Sequence, residues 1–353
     1  MAYTAIDDAG SNFNTVIWTG ADNTLTRSFT GVGFQPDAIW AKSRSAVRDQ
    51  VFSDAVRGVE NNLSPNTTGA ADTGASNAIT SFDSDGWTMG SDGLWNADTE
   101  TFVAWNWKAN GTGSANTDGT GLASVTVSAN TTAGFSICTY TSTGTAGDSF
   151  GHGLSQAPEL VIVKVLGVAD DWIIGSTAGT AAYTMDFTYY LRLNSTIART
   201  GPYSAYWDDT NPTSSVVTVG TNGGTNQGGT TREYIAYCFH SVEGYSKVGS
   251  YTGNGNADGT FVYTGFRPAY ILAKDTSSAN NWAVVDDARN TYNVSDARLT
   301  PNSNVAESTS LNCFDFVSNG FKVRTNDADL NSNTYNYLYY AVAESPFKTA
   351  NAR

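Results

Sequence analysis

Side chains that could act as a general acid, base or nucleophile are scarce in this 353-residue sequence. It contains two histidines, His152 within Gly-His-Gly and His240 at the end of an apolar run. Neither lies in the Gly-x-Ser-x-Gly, phosphate-binding-loop or His-Glu-x-x-His spacing that catalytic and metal sites use. We interpret both as structural residues, and the sequence predicts a protein that is not an enzyme.

Adjacent aspartates occur at 7–8, 170–171, 208–209 and 286–287. Glycosidases need two carboxylates about 5 Å or about 6.5–9.5 Å apart across a cleft, whereas neighbours along a strand point to opposite faces. We therefore predict capping or surface roles for these pairs. Oxygen ligands also cluster in the loop 206–211, but without the spacing of a calcium-binding loop. The prediction is no metal and no cofactor, with loop-bound calcium as the alternative.

Four aromatic residues lie in polar loops that are not repeated elsewhere in the chain: Trp95, Tyr203, Tyr206 and Trp207. An exposed aromatic ring flanked by Asp and Asn suits stacking on a sugar, with hydrogen bonds to its hydroxyls, or a subunit contact. The alternative is that these rings pack back onto their own domain. The four residues are the candidate ligand-binding set.

Three cysteines are present, without a Cys-x-x-Cys or Cys/His metal spacing. Cys138 and Cys238 lie in the predicted first and last strands of the second repeat described below. Those strands could be neighbours, so a disulfide is one alternative. Buried free thiols are the interpretation that we favour, because no secretion signal is recognised at the N-terminus.

The elements that would position these side chains are repeated three times. Each copy places an aromatic residue before Thr-Gly or Thr-Ser, then a Phe, and then a Pro followed six residues later by Lys. The aromatic-to-Pro spacing is 18, 18 and 17 residues. The three copies carry Trp18, Pro36 and Lys42, then Tyr140, Pro158 and Lys164, then Tyr251, Pro268 and Lys274. A repeat of about a hundred residues indicates small domains in series rather than a solenoid.

Other residues recur at equivalent positions of the three copies and support this alignment of the repeats. Leu-x-x-Asn occurs at 63–66, 191–194 and 299–302, and each copy ends in an aromatic-rich strand. The lysine column is interpreted as strand-end residues that form salt bridges or protect a sheet edge. Copies one and three share Asp54 with Arg57 and Asp286 with Arg289, which we interpret as local pairs that stabilise the fold.

The composition favours strands and turns. Of the 353 residues, 35 are Gly, 12% are aromatic and only 15% are charged. We predict an all-β protein of three tandem β-sandwich domains of the jelly-roll or concanavalin-like kind. The first, with a short N-terminal arm, covers 1–108. A Gly/Ser/Thr-rich linker at 109–131 follows, in which 122–127 could add one strand. The divergent second domain covers 132–244, and the third, with a short tail, covers 245–353.

The net charge and the hydropathy of the sequence limit the classes of partner that we expect. The net charge is −14, which repels phosphate backbones and disfavours binding to nucleic acid. No apolar run approaches the roughly 18 residues that a membrane helix needs, so we predict no membrane insertion. Residues 1–8 lack the basic and apolar regions of a signal peptide, which predicts synthesis in the cytoplasm without export.

Several stretches resemble a family of marine bacteriophage virion proteins of uncharacterised domain type, described as tail-fibre or structural proteins with concanavalin-like sandwiches. The strongest resemblance is in Ala236-Tyr237-Cys238-Phe239-His240-Ser241-Val242-Glu243-Gly244-Tyr245-Ser246-Lys247 and in Gly249-Ser250-Tyr251-Thr252-Gly253-Asn254-Gly255, with further matches at 1–8, 101–111, 128–135 and 343–348. The resemblance covers nearly the whole chain and brings no catalytic motif with it.

The resemblance implies a location in the virion and contact with carbohydrate or the host surface. The predicted function is that of a tail-fibre or appendage adhesin, whose partners are other virion proteins, further copies of this chain and host-surface glycans. The alternative is a capsid or tail decoration or connector protein with a purely structural role. No collagen-like or heptad segment is present to drive trimerisation, so docking would have to use the domains themselves.

Overall fold

The computed structural model describes residues 6–21, 25–75, 77–180 and 183–345. Its strand ladders are antiparallel, and the helical segments in this part of the chain are single turns. The prediction of an all-β protein is confirmed. The first five residues of the predicted N-terminal arm and the predicted tail from residue 346 onward lie outside the described residues.

The described residues of unit 1, within 6–108, form a four-stranded sheet, a three-stranded sheet and a short two-stranded pair, β5-β6. Its elements are a 3-10 turn (Ala9–Ser11), β1 (Phe13–Thr19), β2 (Arg27–Thr30), β3 (Ala38–Ser43), β4 (Val51–Asp54), β5 (Asn61–Asn62), β6 (Asp72–Thr73), β7 (Ile79–Asp83), β8 (Gly86–Met89), α1 (Gly93–Asn96) and β9 (Thr101–Trp107). We call the sheet β1-β9-β3-β4 the inner sheet and β2-β8-β7 the outer sheet.

Unit 2, residues 109–243, has a wider inner sheet and a narrower outer one. Its elements are β10 (Ser114–Ala115), β11 (Ala123–Asn130), β12 (Phe135–Thr141), β13 (Ser149–Gly151), β14 (Leu160–Val165), β15 (Ile173–Ser176), β16 (Leu191–Arg192), α2 (Ser204–Trp207), β17 (Val216–Thr218) and β18 (Glu233–Phe239). The inner sheet has seven strands, in the order β10-β11-β12-β18-β14-β15-β16, and the outer sheet is the pair β13-β17.

Unit 3, residues 244–345, returns to the arrangement of unit 1. Its elements are β19 (Ser246–Thr252), β20 (Phe261–Tyr263), β21 (Pro268–Asp275), β22 (Trp282–Asp286), β23 (Phe314–Val317), β24 (Gly320–Val323), α3 (Ala328–Asn331) and β25 (Asn336–Ala343). The inner sheet is β19-β25-β21-β22 and the outer sheet is β20-β24-β23. In each unit the two sheets enclose a hydrophobic cluster of their own, which gives the unit its β-sandwich character.

The last strand of each unit is buried on both faces. In β9, Phe102 and Ala104 face the core of unit 1, whereas Val103 and Trp105 face a second core that all three units share. The same alternation holds in β18 and β25. Burial on both faces explains why these strands have nearly continuous apolar sequences.

The shared core joins the three inner sheets. Its largest members are Trp40, Trp105, Trp107, Trp172, Tyr237, Phe239, Tyr270, Trp282 and Tyr340. The rings of Trp107 in unit 1 and Phe239 in unit 2 are 6.4 Å apart, and that of Phe239 is 4.8 Å from Tyr340 in unit 3. The three sandwiches therefore pack around one common interior, an arrangement that the repeat alone did not predict.

Within the predicted linker at 109–131, the additional strand expected at 122–127 is present and is longer than expected. Residues 123–130 form β11, which pairs with β12 along the edge of the unit 2 inner sheet, and β10 adds a further short strand. Asn130 Nδ2 also donates to Asn12 Oδ1 in unit 1 at 2.9 Å. The Gly- and Thr-rich composition suggested flexibility, but the alternating apolar positions Val125 and Val127 are buried against the unit 2 core.

Candidate functional site

Three of the four candidate ligand-binding residues lie in hydrophobic cores. Trp95 and Trp207 are 0% exposed and Tyr206 is 5% exposed, so the hypothesis that their rings are accessible for sugar stacking is wrong. The polar neighbours that suggested exposure serve the backbone instead. Asp92, for example, caps α1 by accepting a hydrogen bond from the Leu94 amide at 2.8 Å.

Tyr203 is the exception, with 42% of its surface exposed. It lies just before α2, and its ring centroid is 5.8 Å from that of Tyr190 and 5.3 Å from that of Tyr206. Asn222 donates a hydrogen bond to the Tyr203 hydroxyl at 3.2 Å. We call Tyr190, Tyr203 and Tyr206 the tyrosine cluster, of which Tyr203 is the exposed member.

Charged groups lie at the base of the tyrosine cluster. The Arg192 guanidinium lies 5.5 Å from the Tyr190 ring centroid and 2.9 Å from an Asp171 carboxylate oxygen. Burial raises the pKa of Tyr206 to about 12, an effect that a hydrogen bond with Arg192 partly opposes. The Tyr206 hydroxyl therefore stays protonated at neutral pH, and the exposed ring of Tyr203 is the part of the cluster that faces solvent.

The position of the tyrosine cluster follows from the divergence of unit 2. Units 1 and 3 carry a third outer strand, β7 or β23, whereas the described residues of unit 2 have α2 and its flanking loops between β16 and β17. Trp207 packs against Phe187 at 5.1 Å between ring centroids and helps to fill the core of unit 2. Because α2 and its loops take the place of a third outer strand in unit 2, Tyr203 lies at the surface of that unit.

The paired aspartates take part in capping, turns and buried ion pairs; Asp8, for example, accepts from the Gly10 amide at 3.0 Å. Asp286 is completely buried and binds Arg289, so the predicted surface role is wrong for that residue, whereas its carboxylate does accept from the Arg289 amide at 3.0 Å, as a capping residue does. Asp208 and Asp209 are turn residues with φ of 50° and 51°. Within the described ranges, no group of three metal-ligating side chains occurs, and no helix is long and apolar enough to span a membrane.

The repeated lysines are buried, with exposures of 1% for Lys42 and 0% for Lys164 and Lys274. The prediction that they form salt bridges or protect a sheet edge is therefore wrong, because the ammonium groups donate to backbone carbonyls. Lys164 donates to Thr68 of unit 1 at 3.1 Å, and Lys274 donates to Thr196 of unit 2 at 3.1 Å. Two of the three lysines thus join neighbouring units.

The repeated Asp–Arg pairs also contribute to unit boundaries. Asp54 binds Arg57 at 2.6 Å, and the pair is buried as predicted for a structural role. The Tyr237 hydroxyl of unit 2 donates to Asp54 at 2.9 Å. In the same way, Trp105 of unit 1 donates its indole N–H to Asp286 of unit 3 at 2.8 Å. Each carboxylate therefore connects a local pair to the next unit.

One set of hydrogen bonds closes the three units into a ring. The second residue of each Leu-x-x-Asn motif accepts, through its carbonyl, a side-chain N–H from another unit. The pairs are Gln50 with Thr300 at 2.7 Å, Trp172 with Ser64 at 3.2 Å and Trp282 with Arg192 at 2.9 Å. Unit 1 thus contacts unit 3, unit 2 contacts unit 1, and unit 3 contacts unit 2. A cyclic set of equivalent contacts implies approximate threefold symmetry within one chain.

The Leu-x-x-Asn motif also has a role inside each unit. Its Asn oxygen accepts from the backbone N–H of the same donor residue at 2.8 to 2.9 Å, in the pairs Asn66 with Gln50, Asn194 with Trp172 and Asn302 with Trp282. The motif was identified from the sequence, but the equivalent positions that donate to it, Gln50, Trp172 and Trp282, were not. A Gln aligned with two Trp residues shows no common pattern until the shared N–H donor is considered.

The cysteines are buried free thiols, including Cys138 and Cys238. Burial raises the pKa of the Cys238 thiol well above its ordinary value, which makes it a poor nucleophile. Of the two interpretations drawn from the sequence, the structure has the free thiols rather than the disulfide.

Comparison with curated proteins finds no match to this sequence. A family defined by sequence and described as a domain of unknown function, DUF7483, matches residues 8–346. That range contains all but the first two described residues of the three units, and it includes the tyrosine cluster. The chain therefore belongs to the DUF7483 family.

Proposed function

We propose that the protein is a non-enzymatic component of a bacteriophage virion that contacts host-surface glycans through the tyrosine cluster. The observation that carries the glycan contact is the exposure of Tyr203 above two buried tyrosines, in a segment that only unit 2 possesses. The virion location is supported by the resemblance of the repeated sequence blocks to phage structural proteins. The partners would be other virion proteins and further copies of the chain.

The geometry around Tyr203 suits a weak saccharide contact. An exposed tyrosine offers one apolar face to the C–H groups of a sugar ring. The hydrogen bond from Asn222 holds the phenol hydroxyl, and the rings of Tyr190 and Tyr206 restrict the orientation of Tyr203. A ring that is already held in position loses less conformational entropy on binding.

The test compares single variants of the full chain on an array of bacterial surface glycans. We expect Tyr203→Ala to weaken binding by roughly tenfold, which corresponds to about 1.4 kcal/mol, and Tyr203→Phe to weaken it less. Tyr292→Ala removes another exposed tyrosine, 84% accessible, and is the matched control. The proposal fails if wild type binds no glycan, or if Tyr203→Ala and Tyr292→Ala bind equally well.

A decoration or connector protein of the head or tail is the second candidate. The ring of equivalent contacts between units favours it, because one chain then presents three related faces and suits a position of threefold symmetry. Copy number in purified virions, measured by quantitative mass spectrometry, separates the candidates. Hundreds of copies would support capsid decoration, whereas a few dozen at most would support a tail fibre.

A further inference from the structure

Two aromatic side chains of unit 3 face solvent from its outer sheet. Phe261 and Tyr263 lie two residues apart in β20, at one end of that sheet, and are 48% and 54% exposed. Val262 between them is buried in the unit 3 core. Because alternate residues of a strand point to the same face, the two rings belong to one surface. We call Phe261 and Tyr263 the aromatic pair.

The exposure of Phe261 results from a one-residue difference between the repeats. In unit 1, the Phe of the repeated sequence is Phe29, which pairs with Trp87 of β8 and stacks on its ring at 4.8 Å between centroids. In unit 3, the corresponding place against the core belongs to Val262, which pairs with Phe321 of β24. A shift of one residue turns each side chain to the opposite face of the sheet, so Phe261 points outward.

Unit 1 shows that the fold does not require aromatic rings on this face. Ser28 and Thr30 occupy the positions of the aromatic pair, because Thr30 pairs with a glycine of β8 as Tyr263 pairs with the equivalent glycine of β24. The Ser28 hydroxyl lies 2.8 Å from that of Thr88, so polar groups cover the same face in unit 1. Apolar rings exposed where hydroxyl groups suffice for folding indicate contact with another molecule.

A cleft of about 520 Å³ adjoins Tyr263 at the boundary of units 2 and 3. Unit 2 contributes Gln156, Glu159 and Glu243 to its lining, and unit 3 contributes Lys247 beside Tyr263. The Lys247 ammonium donates to the Tyr263 carbonyl at 2.9 Å and lies 5.5 Å from the centroid of the Tyr263 ring. Amide, carboxylate and ammonium groups therefore border an exposed aromatic ring.

This combination of groups matches the mixed polarity of a sugar. A sugar ring presents C–H groups that pack on an aromatic face, and its hydroxyls both donate and accept hydrogen bonds. Carboxylate and amide oxygens accept from such hydroxyls, and an ammonium group donates to them. Side chains two residues apart on a strand are about 7 Å apart, so the aromatic pair can contact two successive sugar units. An oligosaccharide therefore fits this surface better than a monosaccharide.

The charges in the cleft favour a neutral ligand. Glu159 and Glu243 carry two negative charges against the single positive charge of Lys247. One carboxylate oxygen of Glu159 accepts from the Ser241 amide at 2.6 Å, which holds that carboxylate at the cleft. A carboxylate on the ligand would be repelled by these groups, so uronic acids fit less well than neutral sugars.

We propose that the aromatic pair and the adjoining cleft form a binding site for a neutral oligosaccharide. One sugar unit packs on Tyr263, with its hydroxyls directed at Glu159 and Lys247, and the next unit packs on Phe261. The site lies in unit 3 and at its boundary with unit 2, and it shares no residue with the tyrosine cluster. Its ligand class rests in part on the proposed function, because both sites would bind surface glycans.

The test gives the aromatic pair the residues that unit 1 carries at the same positions. The variants of the full chain are Phe261→Ser, Tyr263→Thr and the two combined. The probes are neutral mono- to tetrasaccharides of glucose, galactose, mannose or N-acetylglucosamine, with uronic-acid oligosaccharides as a second arm. Isothermal titration calorimetry measures the dissociation constants. We expect wild type to bind a neutral tetrasaccharide at least roughly tenfold more tightly than its monosaccharide.

Each single variant should weaken tetrasaccharide binding by roughly tenfold, and the double variant should remove the advantage of the longer ligand. Because both replaced rings are exposed, we expect all three variants to unfold at nearly the wild-type temperature. Tyr292→Ala removes a different exposed tyrosine of unit 3. It is the matched control and should bind as wild type does.

The proposal is overturned if wild type binds no neutral saccharide, if uronic acids bind more tightly, or if the double variant binds as wild type does. It is also overturned if the double variant changes the oligomeric state, since the rings would then form a subunit contact. Tyr203→Ala separates the two sites. Loss of glycan binding in Tyr203→Ala alone would support the tyrosine cluster and reject this site, whereas loss in the unit 3 variants alone would do the reverse.

Discussion

Buried lysines are the most unusual repeated side chains in this chain. Each of Lys42, Lys164 and Lys274 donates to two or three backbone carbonyls. Burial lowers the pKa of each ammonium from 10.5 to about 8. The nearby carboxylates only partly oppose this effect, so the lysines contribute directed N–H groups more than they contribute charge.

The lowered lysine pKa predicts a pH-dependent stability. Between pH 8 and pH 10.5 the folded chain has lost a proton that the unfolded chain still holds, so the free energy of unfolding rises with pH through this window. Replacing Lys274 by Met removes this contribution. We expect the free energy of unfolding of wild type, minus that of Lys274→Met, to increase from about pH 7 to about pH 10. Urea denaturation at each pH measures both values.

Lys322→Met removes a partly exposed lysine of unit 3 and serves as the control. Its difference from wild type should change less over the same pH range. If the wild-type value minus the Lys274→Met value stays constant or decreases as the pH rises, the account of the buried lysines is contradicted.

Individual residues show where the sequence was informative and where it was not. The repeated aromatics Trp18, Tyr140 and Tyr251 recur at one position of the repeat, and all three are buried. Trp95 was assigned to a ligand surface because its neighbours are polar, yet those neighbours cap a helical turn. Sequence polarity near an aromatic residue cannot distinguish a capped turn from an exposed loop.

A buried asparagine in each unit escaped notice for the same reason. Asn96, Asn226 and Asn331 are completely buried, and their oxygens accept from the backbone that follows the first repeated strand of each unit. They lie in polar segments that resemble ordinary loops in the sequence. Each satisfies backbone groups of adjacent loops, which is a requirement that composition and periodicity do not reveal.

At the scale of elements, the Thr-Gly motif has a local explanation. A Cβ atom at Gly20 would lie 1.9 Å from the Ala97 carbonyl oxygen, and one at Gly253 would lie 2.3 Å from that of Ser332. Only glycine allows the chain to pass so close to the backbone that follows α1 and α3. Unit 2 carries Ser142 instead, in keeping with its different structure in this region.

Strand β11 provides a prediction at this scale, because the sequence assigned its surroundings to a linker. Its residues pair with β12 from Asn130 to Thr126. We expect their amides to exchange with deuterium as slowly as those of β12, since hydrogen bonds in a ladder protect them. Hydrogen-exchange mass spectrometry measures this directly. Exchange as rapid as that of the exposed turn at 255–258 would restore the linker interpretation.

At the scale of the whole molecule, the repeat, the all-β class and the divergence of unit 2 could be read from the sequence. The shared core could not, because the inner-sheet residues that form it look the same whether a sandwich packs alone or against two others. Val103, Ile235 and Leu338 are equivalent positions, and all three contribute to the common interior. Their apolar character predicts burial but does not say against which surface.

Closure into one ring has a thermodynamic consequence. Separate domains unfold independently, whereas units that share a core expose its apolar surface together when any one of them opens. The three inner sheets each contribute one face to that core, and every boundary carries an equivalent hydrogen bond. The account therefore requires cooperative unfolding of the entire chain.

Differential scanning calorimetry of the full chain tests this claim most directly. We predict one transition whose calorimetric and van't Hoff enthalpies agree. Ile162→Ala, in the unit 2 part of the shared core, should move that whole transition to lower temperature because it removes about 2–5 kcal/mol of stability. Two or three resolved transitions, of which Ile162→Ala shifts only one, would show that the units fold independently and would contradict the closed ring.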